Sequence, residues 1–93
     1  MPELTFRLRW PDAAETVNYS PSTIIKNHFS SGESYEMMEF LHRSRRALAA
    51  ASARVEAAYG YPCSRAQATL AAIETRAAQF SAQQIITVIE ITP

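Results

Sequence analysis

The chain predicts an α+β fold: two layers in the order β-β-α-α-α-β, a three-stranded sheet packed on a long helical hairpin. Three observations predict it. Leu4, Phe6, Leu8 and Trp10 alternate with Thr5, Arg7 and Arg9, the period of a half-buried strand. Tyr35 to Tyr59 runs without Gly or Pro and repeats apolar residues at helical spacing. Ile85 to Ile91, IITVIEI, is β-branched except at Glu90.

The totals bound what such a fold can do. Ninety-three residues make a single domain, 1–93, with one modest core. Nine Lys and Arg balance nine Asp and Glu, so the net charge is zero. A general nucleic-acid binder needs a basic excess to neutralise phosphates, and a neutral surface favours self-association instead. One cysteine allows no internal disulfide, which suits a reducing compartment. No segment reaches the length of a membrane span, and the N-terminus lacks an apolar signal run. No membrane partner is expected, and the expected location is cytoplasmic.

In chain order, the first strand ends at Pro11-Asp12, which suits a type I turn. A second strand, Glu15 to Tyr19, follows. A four-residue connection, Pro11 to Ala14, pairs Trp10 with Glu15, Leu8 with Val17 and Phe6 with Tyr19, with every large apolar side chain on one face. Ser20-Pro21 then opens a short helix, Pro21 to Phe29, contacting the core through Ile24, Ile25 and Phe29.

Ser34 is the expected N-cap of the long helix, Tyr35 to Tyr59, and Gly60 its left-handed C-cap. Its stripe is Met37, Phe40, Leu41, Ser44, Leu48, Ala51, Val55, Ala58 and Tyr59. Ser64 with Gln67 resembles a capping box starting a third helix, Arg65 to Phe80, whose stripe is Ala66, Leu70, Ile73, Ala77 and Phe80. It lies antiparallel to the long helix.

The last strand, Ile85 to Ile91, is placed beside the first. One layer of helices covers one sheet face, so Ile86 and Val88 are expected on the open face near Arg7 and Arg9, with Glu90 pairing to one of those arginines. The long helix has a second uncovered surface in Ala47, Ala49, Ala50, Ala53, Ala57 and Ala58. Either surface suits a homodimer, with the sheet favoured.

Candidate chemistry is sparse. Cys63 precedes a helix N-terminus, where the macrodipole can lower a thiol's pKa; the alternative is a small residue filling the bend. His28 and His42 fall on different helices without metal-ligand spacing, and His42 sits on a charged face. Arg43, Arg45 and Arg46 could hold a phosphate or carboxylate, although Glu39 stands one turn before Arg43 as an ordinary partner. Arg45 lies beside Leu41 and Leu48 and needs a carboxylate there. Trp10 could stack a ring, or simply end the hydrophobic face of its strand. No cofactor loop, paired acid-base carboxylates or metal motif is present, so no cofactor, metal or catalytic residue is assigned.

Taken together, WPDA, YSPSTIIK, EFLHRSRRAL, AYGYPCSRA, LAAIETRAAQF and the closing ITV run resemble a family of small bacterial nitrogen-starvation-response proteins. The resemblance covers essentially the whole chain. In that family Gly commonly follows WPD, whereas Ala13 stands here. The resemblance implies genes in a nitrilase cluster and an accessory role in nitrile or cyanide nitrogen assimilation. It carries no catalytic residue. The expectation is a non-catalytic interaction protein, homodimeric or bound to another product of that cluster. The alternative is a small enzyme or ligand-binding protein using Cys63 and Arg43 to Arg46.

Overall fold

A computed structural model describes residues 3–92. β1 (Leu4–Arg9) and β2 (Glu15–Ser20) form the expected hairpin, and β1 buries Leu4, Phe6 and Leu8 while exposing Thr5, Arg7 and Arg9. The pairing is one residue off the expected register: Leu8 opposes Thr16, Arg7 opposes Val17 and Thr5 opposes Tyr19. Because strand side chains alternate, that single step moves Val17 to the outer face, where it is 62% exposed.

The cause is the turn. Trp10 N–H donates to the Ala14 carbonyl (2.8 Å) and Ala13 N–H to the Trp10 carbonyl (2.9 Å), so the loop closes on Trp10 and Ala14 instead of Trp10 and Glu15. Asp12 Oδ1 accepts from Ala14 N–H (3.1 Å). Ala13 completes the turn at φ 70°, a left-handed conformation that suits glycine.

A short 3-10 helix, Thr23–Asn27, replaces the α-helix expected over Pro21 to Phe29. Ser22, not Ser20, caps it, accepting from Ile24 N–H at 3.3 Å. Ser20 is buried and donates to the Ser22 carbonyl (2.8 Å). Ile25 and Phe29 enter the core as expected, and Ile24 is half-buried.

The sheet has a fourth strand, β3 (Ser34–Glu36), and its order is β2-β1-β4-β3, antiparallel throughout. Ser34 is therefore not a helix cap. Its hydroxyl lies 2.9 Å from Thr87 Oγ1 across β3 and β4. Three residues are too few to show a strand period, so this edge has no signature in sequence.

α1 (Met37–Tyr59) begins directly after β3 with Glu36 at the N-cap position and ends at Gly60, φ 86°, as expected. Its buried stripe is Met37, Phe40, Ser44, Ala47, Leu48, Ala51 and Val55. Leu41 is half-buried, Ala58 and Tyr59 are exposed, and Ala47 belongs to the core instead of the outer surface.

α2 (Ser64–Ala77) buries Ala66, Ile73 and Ala77, with Leu70 and Phe80 packed beside them. Cys63 holds its N-cap position and makes no side-chain cap, so Ser64 and Gln67 form no capping box.

β4 (Ile85–Thr92) lies beside β1 as expected, but its faces are reversed. Ile86 and Val88 are fully buried against the helices, and Ile85 is 51% exposed. The register shifts between Arg7 and Leu8: Leu8 opposes Val88 and Arg7 opposes Glu90, leaving Ile89 without a paired residue. This bulge lets Val88 and Ile91, three positions apart, both contact the core. Arg7 and Arg9 pair with Glu15 instead of Glu90, at 3.5 and 3.2 Å.

Candidate functional site

The two ends of the helical hairpin differ in kind. At one end Trp10, Phe40, Phe29 and Phe80 form an aromatic cluster, with ring centroids between 5.4 and 6.1 Å apart. Trp10 is 2% exposed and its indole N–H donates to Thr16 Oγ1 at 2.9 Å. Its ring is fully committed to the core, so no ring is stacked there from outside. Arg76 seals this end: its guanidinium lies over the Trp10 and Phe80 rings and pairs with Asp12 at 2.8 Å.

At the other end α1 passes into α2 around Gly60, and a cavity of about 370 Å³ opens there. Tyr59, Tyr61 and Cys63 from the junction, Arg65 from α2, Tyr19 from β2 and Glu3 just before β1 are among its lining residues. Tyr19 Oη donates to Glu3 Oε2 (3.1 Å), and the Arg65 guanidinium lies 3.7 Å from the Tyr19 ring centroid. Burial first, and then the Glu3 carboxylate, raise the Tyr19 pKa above its ordinary value. Cys63 is half-buried, and its backbone N–H donates to Ser52 Oγ at 3.2 Å.

The remaining sequence candidates lie elsewhere. Arg43, Arg45 and Arg46 occupy the first half of α1; at 1.5 Å per residue, Arg46 is roughly 20 Å from the Tyr59 end. They line no part of the Cys63 cavity, and neither do His28 and His42. Arg43 is a brace: it donates to Glu39 Oε1 (2.9 Å) and to the His28 carbonyl (2.9 Å), over the Tyr35 ring. It ties the end of the 3-10 helix to α1.

The carboxylate that Arg45 requires is Glu74, at 3.1 Å across the helical hairpin. Both side chains are largely exposed, so Arg45 does not sit at the core edge that its place beside Leu41 and Leu48 suggests, and such a pair contributes at most about 1 kcal/mol. His28 has its pKa lowered by burial, then by Arg46 and Arg43. His42 is exposed on α1. Among the described residues no group of three His, Cys, Asp or Glu could hold a metal ion, and no helix is long and apolar enough to cross a membrane.

Sequence reasoning missed Tyr19, Arg65, Tyr61 and Glu3 at the open end. The sequence pattern puts Tyr59 in a buried stripe and Tyr19 on the buried face of the hairpin. The available signal was Tyr59-Gly60-Tyr61-Pro62: two tyrosines flanking a helix-ending glycine, where the chain turns away from the core.

Residues 5–91 match the family described as nitrogen starvation-induced protein NitG. The chain belongs to that family. No curated protein and no solved structure matches it. In this NitG chain the position after Trp10-Pro11-Asp12 is the left-handed Ala13, which explains why glycine would suit that place.

Proposed function

We propose that this NitG protein is a non-catalytic accessory acting by contact with other proteins, and that it works as a homo-oligomer. In this reading it serves the enzymes of a nitrile- or cyanide-assimilation cluster in the cytoplasm of nitrogen-starved cells. One observation carries it: Tyr59 and Tyr61, 55% and 63% exposed, stand with ring centroids 6.4 Å apart on the open end of the hairpin. Tyrosines on a fixed backbone present large amphipathic area at low entropic cost, the property that makes them anchors at protein interfaces. Tagged protein isolated from nitrogen-starved cells is expected to retain a product of the same cluster, and Tyr59→Ser with Tyr61→Ser to release it. Wild-type protein that retains none under mild conditions would sink the reading.

A second reading, a small-ligand site, is favoured by the cavity beside Cys63. It would use Cys63 with Tyr19 and Arg65, not with Arg43 to Arg46. Thiol labelling across pH tests it: an activated cysteine must react well below the pH at which a free thiol does.

A further inference from the structure

We infer that two copies of this chain join edge to edge along β2, with Val17 on the twofold axis and the two sheets continuous. The inference rests on the homo-oligomer part of the proposed function and replaces the sheet face favoured from sequence. Ile86 and Val88 are inside the fold and cannot be interface residues; of the alanine surface Ala47 is buried and Ala50 half-buried, while Ala49, Ala53, Ala57 and Ala58 stay exposed.

The backbone phase of the hairpin sets the geometry. Trp10 N–H donates to the Ala14 carbonyl, and hydrogen-bonded pairs alternate along an antiparallel ladder. Thr16, Asn18 and Ser20 thus turn their backbone groups toward β1. Glu15, Val17 and Tyr19 turn theirs outward, at the free edge of the sheet. Among the described residues no loop or turn backbone group bonds to these three. The opposite edge, β3, has only three residues and runs straight into α1.

The β2 edge also lacks the usual protections. It carries no Lys, no Pro and no bulge, and its single charge, Glu15, is held by Arg7 and Arg9. The α2 residues beside it are small: Ala68, Thr69 and Ala72 line a shallow groove of about 330 Å³ with Val17, Tyr19 and Arg65. Small side chains there let two copies of α2 run side by side as the strands meet.

The edge is complementary to itself. Pairing Val17 with Val17 of the second copy sets Glu15 opposite Tyr19 of the second copy, and the converse, at both ends of the strand. The three outward residues of each copy are then all matched, and the 62% exposed Val17 side chains become cross-strand neighbours. Charge agrees with this register. Arg65 lies over Tyr19 and makes no ion pair among the described residues, so the pairing brings Glu15 of each copy to Arg65 of the other. A second copy is therefore the occupant this edge fits.

Light scattering on the full chain, with Val17→Lys and with Val17→Cys in a Cys63→Ser background, tests the inference. Wild type is expected at twice the chain mass of 10.4 kDa and Val17→Lys at one chain, with unchanged circular dichroism. Val17→Cys is expected to form a disulfide-linked dimer on mild oxidation, since Cα atoms of a hydrogen-bonded pair lie about 5.5 Å apart. Thr5→Cys in the same background, one strand inside the edge, is expected to stay monomeric on denaturing gels. A wild-type dimer that survives Val17→Lys and does not cross-link at position 17 overturns this interface but leaves homo-oligomerisation standing. A wild-type monomer at high concentration overturns both.

Discussion

The aromatic end and the open end of the helical hairpin are built from similar side chains, and their difference is what surrounds those side chains. At the aromatic end Trp10 sits between Phe40 and Phe80, its one polar atom bonded to Thr16, and the Arg76–Asp12 pair closes over it. At the open end Tyr59 and Tyr61 meet each other and little else, while Arg65 covers Tyr19. The 23 residues of α1 span roughly 34 Å, whereas the six of β1 span roughly 20 Å. The helix outruns the sheet, and the residues of its last turn, Glu56 to Tyr59, are all exposed. Aromatic rings over the sheet become core, and aromatic rings past its end become surface.

The largest expected effect contrasts one ring from each end. Phe40→Ala removes a fully buried ring that contacts both Trp10 and Phe29, and is expected to cost about 3–5 kcal/mol in urea denaturation. Tyr61→Ala at the open end is expected to stay within about 0.5 kcal/mol of wild type. Equal losses would mean that the open end is packed after all.

Next in size is Thr16→Val. It keeps the side-chain shape but leaves the buried Trp10 indole N–H without its acceptor, at an expected cost of about 1–3 kcal/mol. The test is again denaturant unfolding, with Trp10 fluorescence reporting directly. A neutral result would show that the indole finds another acceptor.

Ala13→Gly is expected to stabilise the aromatic end by about 1 kcal/mol, because the left-handed backbone there penalises a Cβ. A drop in melting temperature would argue against the left-handed turn.

The smallest effect is alkaline and belongs to the open end. The Tyr19 pKa is raised in the folded chain, so its contribution is fully present below the unfolded value near 10 and is lost as pH rises through the folded value. Unfolding curves of wild type and Tyr19→Phe are expected to separate below pH 10 and to converge only once the pH passes the raised folded value. Parallel curves throughout would remove Tyr19 from the buried part of the cavity.

By itself the sequence determined the elements whose signal is local and long. Periodicity over Leu4 to Trp10 and over the Tyr35–Tyr59 run, the Gly60 cap and the β-branched tail specify β1, α1 and β4, and two strands beside a helical hairpin follow from burying their apolar faces. It also determined family membership, through ordered blocks covering most of the chain. Only the tertiary structure decided which way β2 and β4 face. One left-handed residue, Ala13, shifts the hairpin by a step, and one bulge at Ile89 lets Val88 and Ile91 share the core, although strict alternation would separate them. The tertiary structure likewise recruited Ser34 to Glu36 as an edge strand and set the cluster Arg43 to Arg46 far from Cys63. The physical reason is the same in each case. Facing and proximity depend on backbone hydrogen bonds between segments distant in the chain, and a side-chain pattern with a period of two residues reverses its meaning whenever one such bond moves by a single residue.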